Sequence, residues 1–214
     1  RIIIPNSTGE QIKSMNASVP ISIGTWIKLK SQPPSTASIV IKGDDSSLPI
    51  QYQFAVQVTG SKTVLAFWQA QGGALQTTIE NGVNSDNQDL TLNEWHYIAA
   101  TNDGTNARIY LDGALVGTDS TPATAPTTDN DRVGIGGKPD TINTYLAING
   151  ILDEVAIWNI SLSSEIIAKH SGYGIDRSIY GNNASLMNGS AVNFTGKFHE
   201  AMQFNGNAKF VRIN

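Results

Sequence analysis

Apolar positions recur at every second residue along much of this chain. Ile21-Ser22-Ile23-Gly24-Thr25-Trp26-Ile27-Lys28-Leu29 alternates apolar with small or polar residues, and Gln51-Tyr52-Gln53-Phe54-Ala55-Val56-Gln57-Val58 repeats the pattern. Successive side chains of a strand point to opposite faces, so this period predicts half-buried β-strands. Residues 63–69 and 75–79 continue it, and Lys42-Gly43-Asp44-Asp45, Thr59-Gly60-Ser61-Lys62 and Gln71-Gly72-Gly73 supply turns between the runs. The clearest hairpin spans residues 94–117: a strand over 95–101, a turn at 102–106, a return over 107–111, then Asp112-Gly113 and a third run over 114–116. Asp-Gly accepts the positive φ angles of a type I′ turn, so Asp103-Gly104 and Asp112-Gly113 both predict tight reversals within a meander. Residues 120–131, rich in Thr, Pro, Ala and Asp, predict a surface loop; 132–136 and 150–158 predict further strands. One segment has helical character. Ser163 caps a run from Ser164 to about His170, with Glu165 in the first turn, where the helix dipole favours negative charge. Many strands, regular turns and one short helix predict an all-β fold, a two-sheet antiparallel jelly-roll sandwich.

Composition narrows the partners. The 214 residues suit one large all-β domain or two small ones, and 40% hydrophobic content is enough for a substantial core. Only 15% of residues are charged, so neutral polar groups must carry the surface. A net charge of −4 without a basic block argues against nucleic acid, and no apolar run reaches the length of a membrane span. The chain has no Cys, which removes disulfides, thiolate metal sites and thiol nucleophiles. It begins at Arg1 with no visible leader, as expected of a processed protein or an excerpt of a longer one. Asn-X-Ser/Thr sequons at Asn6, Asn16, Asn159, Asn183, Asn188 and Asn193 are compatible with a secreted glycoprotein.

Three stretches together resemble the laminin-G-like jelly-roll family, part of the concanavalin A-like lectin/glucanase group. Asn93-Glu94-Trp95-His96-Tyr97 leading to Arg108-Ile109-Tyr110-Leu111-Asp112-Gly113 resembles the family's Trp strand and the hairpin after it. The most specific match is Asn149-Gly150-Ile151-Leu152-Asp153-Glu154-Val155-Ala156-Ile157-Trp158-Asn159 with Leu162-Ser163-Ser164-Glu165-Ile166, similar to the closing strand and short helix. Asp176-Arg177-Ser178-Ile179-Tyr180-Gly181-Asn182-Asn183, with Gly196-Lys197-Phe198-His199-Glu200-Ala201-Met202-Gln203-Phe204-Asn205-Gly206, resembles the opening stretch. That third match is out of order. The single domain of residues 1–214 therefore reads as the family's middle and closing parts over 1–171 and its opening part over 172–214. In addition, Phe210-Val211-Arg212-Ile213-Asn214 looks like the same strand as Ile2-Ile3-Ile4-Pro5-Asn6. Without 172–214 the sandwich would lack strands and leave ladder groups open. The segment therefore either packs in cis, as in a circular permutant, or is donated to a neighbouring copy.

The resemblance implies one structural Ca²⁺ between opening loop and closing strand. Asp153 would give a carboxylate, the loop with Asp176, Ser178 and Asn182 further oxygens, and Asn205 an oxygen without charge where the family often has Asp. The bland alternative is that Asp153 accepts turn hydrogen bonds. For sugar, Trp68, Tyr145 and Tyr52 are conceivable aromatic platforms, with Asp44, Asp45, Asp140 and Asn143 in loops able to bond hydroxyls, though a strand Trp is more often core. No motif singles out a ligand-binding residue. Catalysis is disfavoured. Related glucanases place carboxylates two apart on one strand face, whereas Asp153 and Glu154 are adjacent, point to opposite faces and so cannot flank one glycosidic bond. His96, His170 and His199 are isolated, with no metal-ligand spacing. Gly134-Ile135-Gly136-Gly137-Lys138 lacks the strand–loop–helix setting of a phosphate loop. The resulting expectation is a non-catalytic carbohydrate-binding or adhesion module, extracellular or at a cell surface. Its partner is a glycan or glycoprotein. The other class is a structural subunit that assembles with copies of itself by strand donation through residues 172–214.

Overall fold

The structure, a computed structural model, describes residues 20–43, 50–69, 89–120, 133–138 and 147–173 in full, and the backbone of several short strands outside them. In chain order the strands are β1 Ile2–Ile4, β2 Ile21–Leu29, β3 Ala37–Lys42, β4 Tyr52–Thr59, β5 Lys62–Gln69, β6 Val83–Asn84, β7 His96–Asn102 and β8 Ala107–Leu111. There follow β9 Ala114–Asp119, β10 Val133–Ile135, β11 Asn149–Trp158, helix α1 Ser164–Tyr173, and β12 Ala184–Met187, β13 Ala191–Thr195, β14 Glu200–Asn205 and β15 Phe210–Ile213. They form two sheets, ordered β12-β15-β1-β10-β3-β4-β5-β6 and β13-β14-β11-β2-β7-β8-β9. The architecture is the two-sheet sandwich, with one short helix among the described residues. The expected run at 75–79, the 120–131 loop beyond Ser120 and the turns at 44–45 and 71–73 lie outside the described residues.

The two-residue period decides what each face buries. Ile21, Ile23, Ile27 and Leu29 of β2 point inward and join Phe54, Val56, Leu65, Phe67, Ile98, Ile109, Val133 and Leu152 in the main core between the sheets. The intervening β2 residues face outward, and that outer face is covered too. Trp26, Tyr97, Tyr110, Leu162 and Ile167 form a second cluster beneath α1. Trp26 meets Tyr97 edge-on at 5.5 Å, and His170 stacks on Tyr97 at 6.2 Å and tilts against Trp158 at 5.3 Å. Tyr97 and Trp158 pack this close to β2 because Gly24 has no side chain: a Cβ there would collide with the Tyr97 hydroxyl and lie 3.2 Å from Trp158 Cζ3.

Helix α1 starts as the sequence predicts, with the Ser163 Oγ accepting from Ile166 N–H at 3.4 Å, and extends to Tyr173 rather than ending near His170. The two Asp-Gly pairs behave differently. Asp112 (φ 50°) and Gly113 (φ 83°) make the expected tight reversal. At Asp103-Gly104 only Gly104 has positive φ (89°). There the Asp103 carboxylate accepts from Thr105 N–H at 2.8 Å, Asn106 N–H at 2.6 Å and Arg108 at 2.7 Å, so a side chain rather than a type I′ backbone closes the loop. Partial burial pushes the Asp103 carboxyl up, but the Arg108 guanidinium and the two N–H groups outweigh it and hold the carboxyl below the usual range. β11 also departs from regularity. Its register with β2 shifts between Asp153 and Ala156, and Glu154 has φ 52°. The Thr25 hydroxyl donates to Asp153 O at 2.9 Å across this bulge. The opposite-face argument for Asp153 and Glu154 therefore does not hold there, because an inserted residue interrupts the alternation.

Two outcomes are expected. Gly24→Ala should destabilise by roughly 1–3 kcal/mol, the usual cost of overpacking, and lower Tm by several degrees, whereas an unchanged Tm would mean that Tyr97 and Trp158 are not tightly packed there. A carboxyl held low by the fold stabilises it above its unfolded value, and that contribution drains away as pH falls through the folded value. The Tm difference between wild type and Asp103→Asn should thus be present at neutral pH and shrink below about pH 4; a difference constant with pH would contradict the assignment.

Candidate functional site

Two groups of polar residues stand out, one at the β8–β9 turn and one at an end of the sandwich. The turn group begins with Asp112. Its Oδ1 accepts from Tyr97 N–H at 2.9 Å, and its own N–H donates to Tyr97 O at 2.7 Å. Its Oδ2 lies 2.8 Å from His96 Nδ1, and His96 Nε2 lies 2.7 Å from Thr91 Oγ1, which donates to Glu94 Oε2 at 2.8 Å. His96 is thus not isolated. Its partners sit five and sixteen residues away, and only the folded register gathers them. The order Thr91–His96–Asp112 copies the hydrogen-bond order of a nucleophile, base and orienting carboxylate. The Glu94 carboxylate against the Thr91 hydroxyl opposes that use, since removing a proton there would set two negative charges side by side. A hydroxyl has one hydrogen to give. Whichever partner receives it, the chain is a clasp tying the turn to the start of β7.

The end group follows from register. Lys42 pairs with Tyr52 and Tyr52 with Gln69, so the three form one row across β3, β4 and β5 on the core side. All are at most 2% exposed. Asn102 of the opposite sheet reaches across and donates to Gln69 Oε1, closing the sandwich with a polar contact. The Tyr52 hydroxyl and Gln69 Nε2 have no hydrogen-bond partner among the described residues. Burial pushes the Tyr52 phenol well above its usual range. Tyr52 is therefore core and not the exposed sugar platform that its sequence position allowed: its side chain falls on the inward half of the alternation.

Trp68 behaves differently. Phe67 and Gln69 face inward, so Trp68 faces out, in one row with Gln53 and Ile41. It is half-buried, and among the described residues it belongs to neither apolar cluster, whereas Trp26 is core and Trp95 and Trp158 pack against the second cluster. Gln53 beside it is held by a 2.7 Å hydrogen bond from its Nε2 to Ser38 Oγ. Tyr145, Asp44, Asp45, Asp140 and Asn143 lie outside the described residues.

Of the expected calcium donors, Asp153 alone lies among the fully described residues. Asp153 Oδ1 accepts from Glu154 N–H at 2.9 Å, as the turn-capping alternative requires. Asn205 pairs with Asn149, four residues along β11 from Asp153, or roughly 13 Å of strand. Asp176, Ser178 and Asn182 lie outside the described residues, among which no group of three or more His, Cys, Asp or Glu could hold a metal. The described residues thus do not complete a calcium cage. Of the sequons, Asn159 is exposed just after β11; Asn193 lies in β13, and Asn6, Asn16, Asn183 and Asn188, like His199, fall outside the described residues.

The family model of the concanavalin A-like lectin/glucanases superfamily matches residues 6–168. The chain belongs to this superfamily. No curated protein matches it. Among solved structures, it is similar to the heptameric SAP-like pentraxin of Limulus polyphemus: 14% identity, TM-score 0.54, covering 73% of each chain. It is also similar to the CBM40 of the Ruminococcus gnavus IT-sialidase bound to α2,3-sialyllactose, with 13% identity, TM-score 0.57, and 76% of this chain and 86% of that one covered. A third is domain 4 of AbnA, an extracellular arabinanase of Geobacillus stearothermophilus, in complex with arabinotriose: 14% identity, TM-score 0.55, with coverage of 74% and 69%. At such identities these likenesses show the lectin-like fold alone. No helix among the described residues is long and apolar enough to cross a membrane.

The clasp gives a prediction. Asp112→Asn keeps an acceptor for Tyr97 N–H and tolerates positive φ, so it should cost under about 1 kcal/mol. Asp112→Ala orphans that N–H and strains the turn, and should cost roughly 2–3 kcal/mol in urea unfolding. Equal costs would mean that the His96 pair, not the backbone cap, is what stabilises the turn.

Proposed function

We propose that this domain is a non-catalytic glycan-recognition module of an extracellular or cell-surface protein, and that Trp68 is its stacking platform. The observation that carries the reading is the position of Trp68: half-buried, outward-facing and, among the described residues, outside both apolar clusters. A large aromatic ring outside the apolar clusters of the described residues is suited to the apolar face of a sugar. Superfamily membership supports the fold for this role, and two of the similar structures carry oligosaccharides. The non-catalytic part rests on the clasp geometry at His96 and on the use of Asp153 as a turn acceptor. A structural calcium remains part of the proposal through Asp153, Asn205 and the 176–182 stretch.

The test is titration of wild type and Trp68→Ala with α2,3-sialyllactose, arabinotriose and an arrayed glycan set. Trp68→Ala should weaken the bound glycan at least about tenfold, or 1.4 kcal/mol, with Tm unchanged. Retained affinity would remove Trp68, and no binding by wild type to any glycan at millimolar concentration would remove the reading. Repeating the titration with calcium and with a chelator tests the ion. Binding or Tm that falls on chelation in wild type but not in Asp153→Asn supports it; identical curves dismiss it.

A further inference from the structure

Near one end of the eight-stranded sheet, strands of like sequence from opposite parts of the chain lie together. β1 reads Ile2-Ile3-Ile4 and β15 contains Val211-Arg212-Ile213. They lie side by side, parallel and in register, with Ile2 opposite Val211 and Ile3 opposite Arg212. Every other pairing between the named strands is antiparallel. On its other side β1 runs antiparallel to β10, with Ile2 opposite Ile135, Ile3 opposite Gly134 and Ile4 opposite Val133. Because β15 has the direction and register of β1, shifting it by one strand spacing, about 4.8 Å, would set it against β10 with neither reversal nor slip. Val211 would then stand opposite Ile135, Arg212 opposite Gly134 and Ile213 opposite Val133.

That placement suits β15 by pattern. Ile135 and Val133 belong to the main core, so the register positions opposite them lie on the core face. β15 offers apolar residues at those two positions and a charged one between them, the alternation of a half-buried strand. β1 has isoleucine at all three. Both strands therefore satisfy one slot, and within a single chain only one can fill it.

The segment that carries β15 is also a unit. β12 pairs with β15 and β13 with β14, and the unit joins the rest of the sandwich along two seams, β14 on β11 and β15 on β1. We propose that the β12–β15 unit of one copy docks on the β10–β11 edge of a second copy, with β15 taking the place of β1 beside β10. Both seams then become antiparallel, the more stable pairing per residue. Donor edge and acceptor edge are different surfaces, so the contact is head-to-tail and can repeat. This goes beyond the glycan reading and does not depend on it.

The absence of Cys makes a cross-linking test clean. Gly134→Cys and Arg212→Cys would be made in separate full-length chains, mixed at high concentration, unfolded, refolded together and mildly oxidised. Facing Cα atoms on neighbouring strands lie about 5 Å apart and can bridge, whereas two strand spacings, roughly 10 Å, cannot. A covalent heterodimer linking 134 to 212, with head-to-tail oligomers of wild type in sedimentation, is the expected result. The Ile3→Cys and Arg212→Cys pair reports the arrangement within one chain. If 3 and 212 bridge only inside a single chain and wild type stays monomeric, the proposal is overturned. If they bridge between chains while 134 and 212 do not, the unit is donated but β1 keeps its slot, which overturns the exchange of strands. Circular dichroism and Tm of each single variant verify that it folds before mixing; should Gly134→Cys not fold, Ile135→Cys mixed with Val211→Cys probes the same register, and monomeric wild type in sedimentation still overturns the proposal.

Discussion

The whole sandwich rests on burying both faces of the seven-stranded sheet at β2. Its inward isoleucines and Leu29 fill the space between the sheets, and its outward residues lie under a helix. A strand in an open antiparallel sheet ordinarily keeps one wet face. Here Trp26 and Gly24 share the outward half, one supplying bulk for α1 and the other the gap that admits Tyr97 and Trp158. β2 is also hydrogen-bonded on both sides, to β11 and to β7, so the closing strand and the Trp-bearing hairpin are positioned by the same nine residues.

Where the sequence spoke in periods it was easy to read. The alternation over 21–29 and 51–58, the Asp112-Gly113 reversal and the Ser163 cap all correspond to what the backbone does, because each depends on neighbours in the chain. What failed to show depended on distant residues. The bulge at Glu154 is invisible because two polar residues in a row look the same whether or not one is inserted. Asp103-Gly104 has the same letters as Asp112-Gly113, but Arg108 and two N–H groups recruit its carboxylate first. Lys42 would be assigned to solvent by its charge, yet register turns it inward beside Tyr52.

The candidate site shows the same division. Trp68 was one of several aromatic residues of equal standing in the sequence, and it is set apart only by the parity of Phe67 and Gln69 on either side. His96 had no visible partner because Thr91 and Asp112 come to it through a tight turn and a hairpin. Asp153 and Asn205 read as two ligands of one ion, and nothing in the sequence shows that the ladder between β11 and β14 sets them at different heights along the strand.

The parallel contact between β1 and β15 also has a mechanical side. Tension applied at Ile2 and Ile213 in opposite directions runs along these two strands rather than across them. Their hydrogen bonds would then carry load together, in shear, instead of parting one at a time like a zip. A domain built this way resists stretching along that axis better than peeling from an edge.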